Sequence, residues 1–178
     1  MTNPILLNPE ITFKLSDPAH AQQLTDAVDR NRSYLQEFLS WVPQVTSVED
    51  FENYLKGCVE DRYAGLEWSY DIFHKNHLIG RIGIHNIDKN NNNAMIGYWI
   101  DERYQGKGII TEGCKKIIDI GFNQLGLHRL EILVAIDNHK SAAIPIRLGF
   151  QKEGILRQKE KHGPKFLDLQ IFSILRHE

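Results

Sequence analysis

Residues 102 to 113 read ERYQGKGIITEG. Gly106 and Gly108 bracket Lys107, with Arg103 just upstream, where an alternating apolar run gives way to a long amphipathic one. A strand-to-helix turn of small residues exposes backbone N–H groups. The first N–H groups of a helix lack internal acceptors and sit at the positive end of its dipole. Such a turn is an anion site, suited to phosphate. Glycine admits close approach to the backbone, and Arg103 and Lys107 add positive charge. Two phosphate loops are excluded by residue order. A nucleotide P-loop needs GxxxxGK followed by Ser or Thr, but Ile109 follows Gly108, and the dinucleotide fingerprint needs a third glycine where Thr111 stands.

The elements that must position this turn follow from periodicity. EITFKL alternates Ile11, Phe13 and Leu15 and reads as a strand. Ser16 or Asp17 with Pro18 opens a helical region over residues 18 to 40, expected in two pieces broken near Asn31. Ser47 with Asp50 forms a capping-box pattern for a helix at about 48 to 63. Strands are expected at about 67 to 74, 77 to 87 and 93 to 101, with Asn76 in the first tight turn and DKNNNNA as an exposed turn. From Gly108 to Phe122 apolar residues recur every four positions, the clearest helix, with Cys114 on its apolar stripe. HRLEILVAID is the clearest strand, and Leu133 and Ala135 make its far end apolar on both faces, hence interior. A short helix at about 139 to 147 and strands near 150 to 160 and 165 to 175 complete the order. The fold class is α/β (α+β), a mixed sheet of about seven strands in one domain, residues 1 to 178.

At 178 residues and 42% hydrophobic content, the chain can build a core without disulfides or metals. A net charge of −2 argues against nonspecific binding of nucleic acid or anionic membrane. Cys58 and Cys114 are far apart and form no CxxC pair, and the eight histidines show no HExxH spacing, so no metal site is expected. The start, MTNPILLNPEITF, has no basic opening or long apolar stretch, so no signal peptide is expected. No run reaches the ~18 apolar residues of a membrane span. The expected compartment is the cytoplasm.

RYQGKGIITEG resembles the acyl-CoA pyrophosphate loop of the GNAT superfamily of N-acetyltransferases, patterned Gln/Arg-x-x-Gly-x-Gly/Ala. HRLEILVAIDNHKSAAIPIRLGFQKEG resembles that superfamily's next strand-helix-strand block, with Asn138 opening the helix and Leu148-Gly149-Phe150 leading to Glu153-Gly154. SWVPQV and GIITEGCKKIIDIGF add a likeness to the RimJ/RimL branch, which acetylates ribosomal-protein N-termini. The resemblance covers roughly residues 8 to 175. It implies a mostly antiparallel twisted sheet with helices on both faces and a splayed central strand pair, here NAMIGYWID and HRLEILVAID. It implies acetyl-CoA as co-substrate, no metal, and a protein N-terminus as acceptor. A homodimer is compatible with it, since relatives often pair.

The resemblance also distributes roles. Trp99, Ile100 and Asp101 would offer backbone groups to the pantetheine arm, with Gly97 either at a bulge or as a packing glycine. Arg103, Gly106, Lys107, Gly108, Ile109 and Thr111 would surround the diphosphate, and Asn138 and Ser141 would contact the arm. Acetyl transfer requires deprotonation of the amine, donors for the tetrahedral oxyanion and stabilisation of the thiolate. Glu160 is the expected general base. Ser141 is the expected partner of the CoA sulfur, where many relatives place a tyrosine that the sequence does not show at the matching position. Glu102 reads as a loop carboxylate. Arg32, Tyr34, Glu37 and Trp41 are acceptor-site candidates. Rival readings are acetylation of a polyamine, an aminoglycoside or another small amine or metabolite, and a non-catalytic acyl-CoA-binding sensor.

Overall fold

The computed structural model describes residues 4–178. One sheet runs through it. Its strands are β1 (Ile5–Leu6), β2 (Ile11–Leu15), β3 (Trp68–His74), β4 (His77–Asp88), β5 (Asn93–Ile100), β6 (Arg129–Ala135), β7 (Gln151–His162) and β8 (Lys165–Leu175). They lie in the order β1-β2-β3-β4-β5-β6-β8-β7. Every neighbouring pair is antiparallel except β5 and β6. The eighth strand, absent from the sequence expectation, is the two-residue β1, too short to carry a period-two signature.

Alternation along the strands supplies an apolar layer to each face. On one face Phe13, Ile72, Ile82, Ile84 and Ile96 are buried with Ile109, Ile110, Cys114 and Ile117 of α3 (Ile109–Asp119). On the other, Phe73 and Leu78 meet Leu24, Ala27 and Val28 of α1 (Ala21–Leu35) and Phe51 and Leu55 of α2 (Val48–Ala64). The capping box of α2 forms as the sequence indicates: Asp50 N–H donates to Ser47 Oγ at 3.1 Å, and the Asp50 carboxylate accepts from Ser47 N–H at 3.0 Å. Cys58 and Cys114 are both free and buried. The fourth helix, α4 (His139–Arg147), follows β6.

Two local expectations are corrected. Helix α1 does not break near Asn31; it runs on to Leu35. Asn31 is buried, donates from Nδ2 to the Ala27 carbonyl at 2.8 Å, and accepts the Glu102 N–H on Oδ1 at 2.9 Å. A polar residue that reads as a helix interruption is here a tether between α1 and the segment before the glycine loop. Nor is there a bulge at Gly97, which pairs in register with Gly83. A Cβ on Gly97 would come within 2.8 Å of His85 Cε1, so its bareness makes room for that ring.

Beneath α1 and α2 lies a buried ionic knot. Asp71 is 0% exposed and accepts from Ser16 Oγ at 3.0 Å and from Arg81 Nε at 2.8 Å, with His20 Nδ1 at 2.7 Å. Arg81, 8% exposed, also donates to Ser16 Oγ at 2.9 Å. Removing one charge from such a pair strands the other without water. Arg81→Met is expected to cost about 3–5 kcal/mol in urea unfolding. Adding Asp71→Leu to it should restore part of the loss.

Candidate active site

The site begins where two strands part. Strands β5 and β6 pair only at Asn93–Arg129, Ala94–Leu130 and Met95–Glu131. Beyond that, β5 stays on β4 as far as Ile100, and β6 stays on β8 as far as Ala135. Each strand is held by its outer neighbour, so the inner edges of Ile96–Ile100 and Ile132–Ala135 face each other without a ladder. Unpaired backbone N–H and C=O groups at such an edge demand other partners.

Two cavities meet in this wedge. An outer groove of about 820 Å³ runs along the glycine loop and α4, and an inner cleft of about 590 Å³ lies between β4, β6 and the segment after α1. Phe38, Leu39, Tyr98, Trp99, Asn138 and Ser141 line both.

The outer groove is closed at one end by the glycine loop. Gly106 and Gly108 have φ values of 71° and 76°, the left-handed region that side chains avoid, and a Cβ on either would meet no atom within 4 Å. The space above them is therefore open for a ligand. Gly108 is the N-cap of α3, and its carbonyl accepts the Glu112 N–H at 2.9 Å, so the amides before Glu112 have no intrahelical acceptor. Of the residues expected around the coenzyme, Trp99, Ile100, Gly106, Gly108, Ile109, Thr111, Asn138 and Ser141 line this groove.

Asp101, Arg103 and Lys107 do not line the groove. Arg103 donates to the buried Asp101 carboxylate through Nε at 3.0 Å and Nη2 at 2.7 Å. Burial pushes the Asp101 carboxyl up, but hydrogen bonds from Arg103 and Asn31 outweigh it and bring it down to about 2. The pair shapes the turn into the loop. Lys107 lies over the Tyr104 ring, 4.7 Å from its centroid. The cations that do line the groove are Lys140 and Arg147. Arg147 Nη1 donates to Thr111 Oγ1 at 3.2 Å and Lys140 Nζ to Gln105 Oε1 at 3.3 Å. Their seven-residue spacing, two turns along one face of α4, is the sequence signal that would have found them.

The inner cleft receives Glu160 and Trp41 among the expected residues. Glu160 reaches it through an irregular hairpin. Between the pairs Leu156–Leu169 and Glu160–Leu167, β7 advances four residues while β8 advances two. Gln158 sits in the excess with φ 51°, its N–H held by Asp168 Oδ1 at 2.7 Å. Bulges of this kind re-aim a side chain. Further in, the wall carries Glu67, Ser69, Arg81 and His85. Arg81 is already engaged with Asp71, and burial pushes the His85 imidazole pKa down, so that ring stays neutral at pH 7. The remaining acceptor candidates lie elsewhere. Tyr34 lines the outer groove, while Glu37 is exposed and lines neither cavity. Arg32 donates to the Val42 and Val45 carbonyls at 2.6 and 3.0 Å and pairs with Asp29, fixing the turn after α1. Among the described residues, no group of three or more His, Cys, Asp or Glu is placed to hold a metal. No helix among them is long and apolar enough to cross a membrane.

A splayed parallel pair, a left-handed glycine turn opening a helix, and a groove passing from one to the other are the arrangement that the GNAT resemblance implies. The family model of the GNAT acetyltransferase domain matches residues 11–151. The chain is 34% identical to the putative ribosomal N-acetyltransferase YdaF of Bacillus subtilis, covering 97% of this chain and 94% of that one. It is 31% identical to the ribosomal-protein-serine acetyltransferase of Escherichia coli, covering 97% of each. The solved structure of RimL, a ribosomal alpha-N-protein acetyltransferase in complex with coenzyme A, superposes with a TM-score of 0.92 at 27% identity, over 97% of this chain and 98% of that one. The chain belongs to the GNAT acetyltransferase family and is an acetyl-CoA-dependent N-acetyltransferase.

With a side chain at Gly108, holding the left-handed turn costs roughly 1–2 kcal/mol, so the free loop relaxes out of it and must return to it on binding. Gly108→Ala is therefore expected to weaken coenzyme A binding about ten-fold in calorimetry, with the unfolding midpoint little changed.

Proposed function

We propose that the acceptor is the N-terminal α-amino group of a protein, of the ribosomal-protein serine or alanine type, and that it attacks acetyl-CoA directly in a ternary complex. The observation that carries this reading is the junction of the two cavities. The coenzyme's groove and a separate cleft bearing Glu160 share one wall of Tyr98, Trp99, Asn138 and Ser141. Two substrates entering from opposite sides meet there, which leaves no need for a covalent enzyme intermediate. The names of the relatives support a ribosomal-protein acceptor. The reading places the reaction in the cytoplasm and takes the whole chain as one catalytic domain, with a homodimer compatible on family likeness alone.

In this mechanism Glu160 takes the proton of the incoming ammonium, whose ordinary pKa of about 7.7–8.0 leaves much of it charged at neutral pH. Peptide groups on the unladdered edge of β5 hold the coenzyme arm. The amides around Gly106 and Gly108 and the Lys140 and Arg147 cations face its phosphates. Ser141 donates a hydrogen bond to the sulfur as the thiolate leaves.

The reading is tested by following thiol release from acetyl-CoA with peptides starting in Ser or Ala, with polyamines and with aminoglycosides. Peptides are expected to turn over fastest. Faster turnover of a small amine would replace the acceptor, and coenzyme binding without turnover of any acceptor would mark a sensor. Glu160→Gln is expected to lower kcat/KM by roughly 10²–10⁴-fold while leaving coenzyme A affinity unchanged. Wild-type kcat/KM in that variant at every pH would remove Glu160 from the mechanism.

A further inference from the structure

Tyr98 lies in the NAMIGYWID segment but is given no role by the sequence, yet it stands at the point where the outer groove and the inner cleft join. It lies on β5, in the stretch that has left β6, and reaches across to the first turn of α4. There its hydroxyl makes two contacts with a single residue. Tyr98 Oη donates to the Ser141 carbonyl at 3.1 Å, and Ser141 Oγ donates to Tyr98 Oη at 3.3 Å. The same turn is held from its other end, where the Ser141 N–H donates to Asn138 Oδ1 at 3.1 Å. All three polar groups of Ser141 (amide, carbonyl and hydroxyl) are thus engaged by two residues that line both cavities.

We propose that Tyr98 is a positioning residue for acetyl transfer, holding the Ser141 hydroxyl at the cavity junction so that it can hydrogen-bond the departing sulfur of coenzyme A. The proposal rests on the reading of Ser141 given under Proposed function. Burial, with Cys114 nearby, pushes the Tyr98 phenol well above its ordinary range, so it keeps its proton and remains a donor. As negative charge builds on sulfur, the Ser141 O–H turns from Tyr98 to the sulfur. The Tyr98 O–H then turns from the Ser141 carbonyl to Ser141 Oγ. The result is a chain, Tyr98 O–H to Ser141 Oγ and Ser141 O–H to sulfur, in which each proton stays on its own oxygen. A hydroxyl that receives a hydrogen bond is a better donor in turn. Sequence reading looks for a tyrosine on α4 itself and finds none; the phenol comes instead from the facing strand.

The test uses the full-length protein and three variants, Tyr98→Phe, Ser141→Ala and the double variant. Tyr98→Phe keeps the ring and removes only the hydroxyl. It is expected to lower kcat on the order of ten-fold, the scale of one hydrogen bond. KM for acetyl-CoA and the calorimetric Kd for coenzyme A should be unchanged, and the unfolding midpoint should stay near that of wild type. Because the phenol acts through Ser141, the double variant should be no slower than Ser141→Ala alone. Wild-type kcat in Tyr98→Phe beside a slow Ser141→Ala would overturn this inference and leave the Ser141 reading standing. Losses that multiply in the double variant, or a Kd that weakens in step with kcat, would also overturn it. Wild-type kcat in Ser141→Ala would instead sink the parent reading.

Discussion

Strands β5 and β6 start as neighbours and end apart, and the site exists because of that divergence. Three residue pairs join them at Asn93–Arg129, Ala94–Leu130 and Met95–Glu131. A parallel pair that continued would satisfy its own backbone and leave nothing to bind. Here β5 keeps its antiparallel ladder with β4, irregular only between His85 and Asp88, and β6 keeps its ladder with β8, so each strand is paired along its outer edge. The wedge is thus a property of the whole sheet. Its cost is spread over two strong strand pairs, and its gain is an edge of peptide groups available to an extended ligand.

The parts of the wedge are anchored by contacts between separate elements. The glycine loop is held in place by Asp101, which binds Arg103, and by Asn31, which binds the Glu102 amide from the far side of the sheet. Helix α1 is thus tied to the segment before the glycine loop by the buried Asn31 and by Arg30, whose Nε lies 3.8 Å from Asp101 Oδ2. The first turn of α4 is pinned by Asn138 and Tyr98. Glu160 depends on the excess residues of β7 around Gln158. A side chain held by such contacts loses little conformational freedom when a ligand arrives, which is how a scaffold converts stability into positioning.

Much of the fold was legible because its periodicities are strong. The apolar stripe of α3, the alternation in β2 and β6, the Ser47 capping box and the 139 to 147 helix all agree with the structure. Asn31 and Gly97 misled because local rules assign a polar residue in a helix and a glycine in a strand to interruptions. Both instead satisfy long-range partners, the Glu102 amide and the His85 ring. The left-handed turn of the glycine loop was legible, since Gly106 and Gly108 adopt backbone angles that their residue type announces. The cations that line its groove were not. Arg103 and Lys107 sit beside the glycines in sequence but turn to Asp101 and Tyr104, while Lys140 and Arg147 arrive from a helix more than thirty residues on.

By itself, then, the sequence determined most of the secondary elements, the glycine turn and the family to which both belong. Those depend on local backbone preference and on hydrophobic period, which act over a few residues. Only the tertiary structure decided which side chains share the wedge: Tyr98 with Ser141, Glu160 in the inner cleft, and Arg32 and Glu37 outside both cavities. Those outcomes turn on strand register, one bulge and the choice of partner for each buried charge. Such features are settled by contacts between segments far apart in the chain, and no spacing within a single segment encodes them.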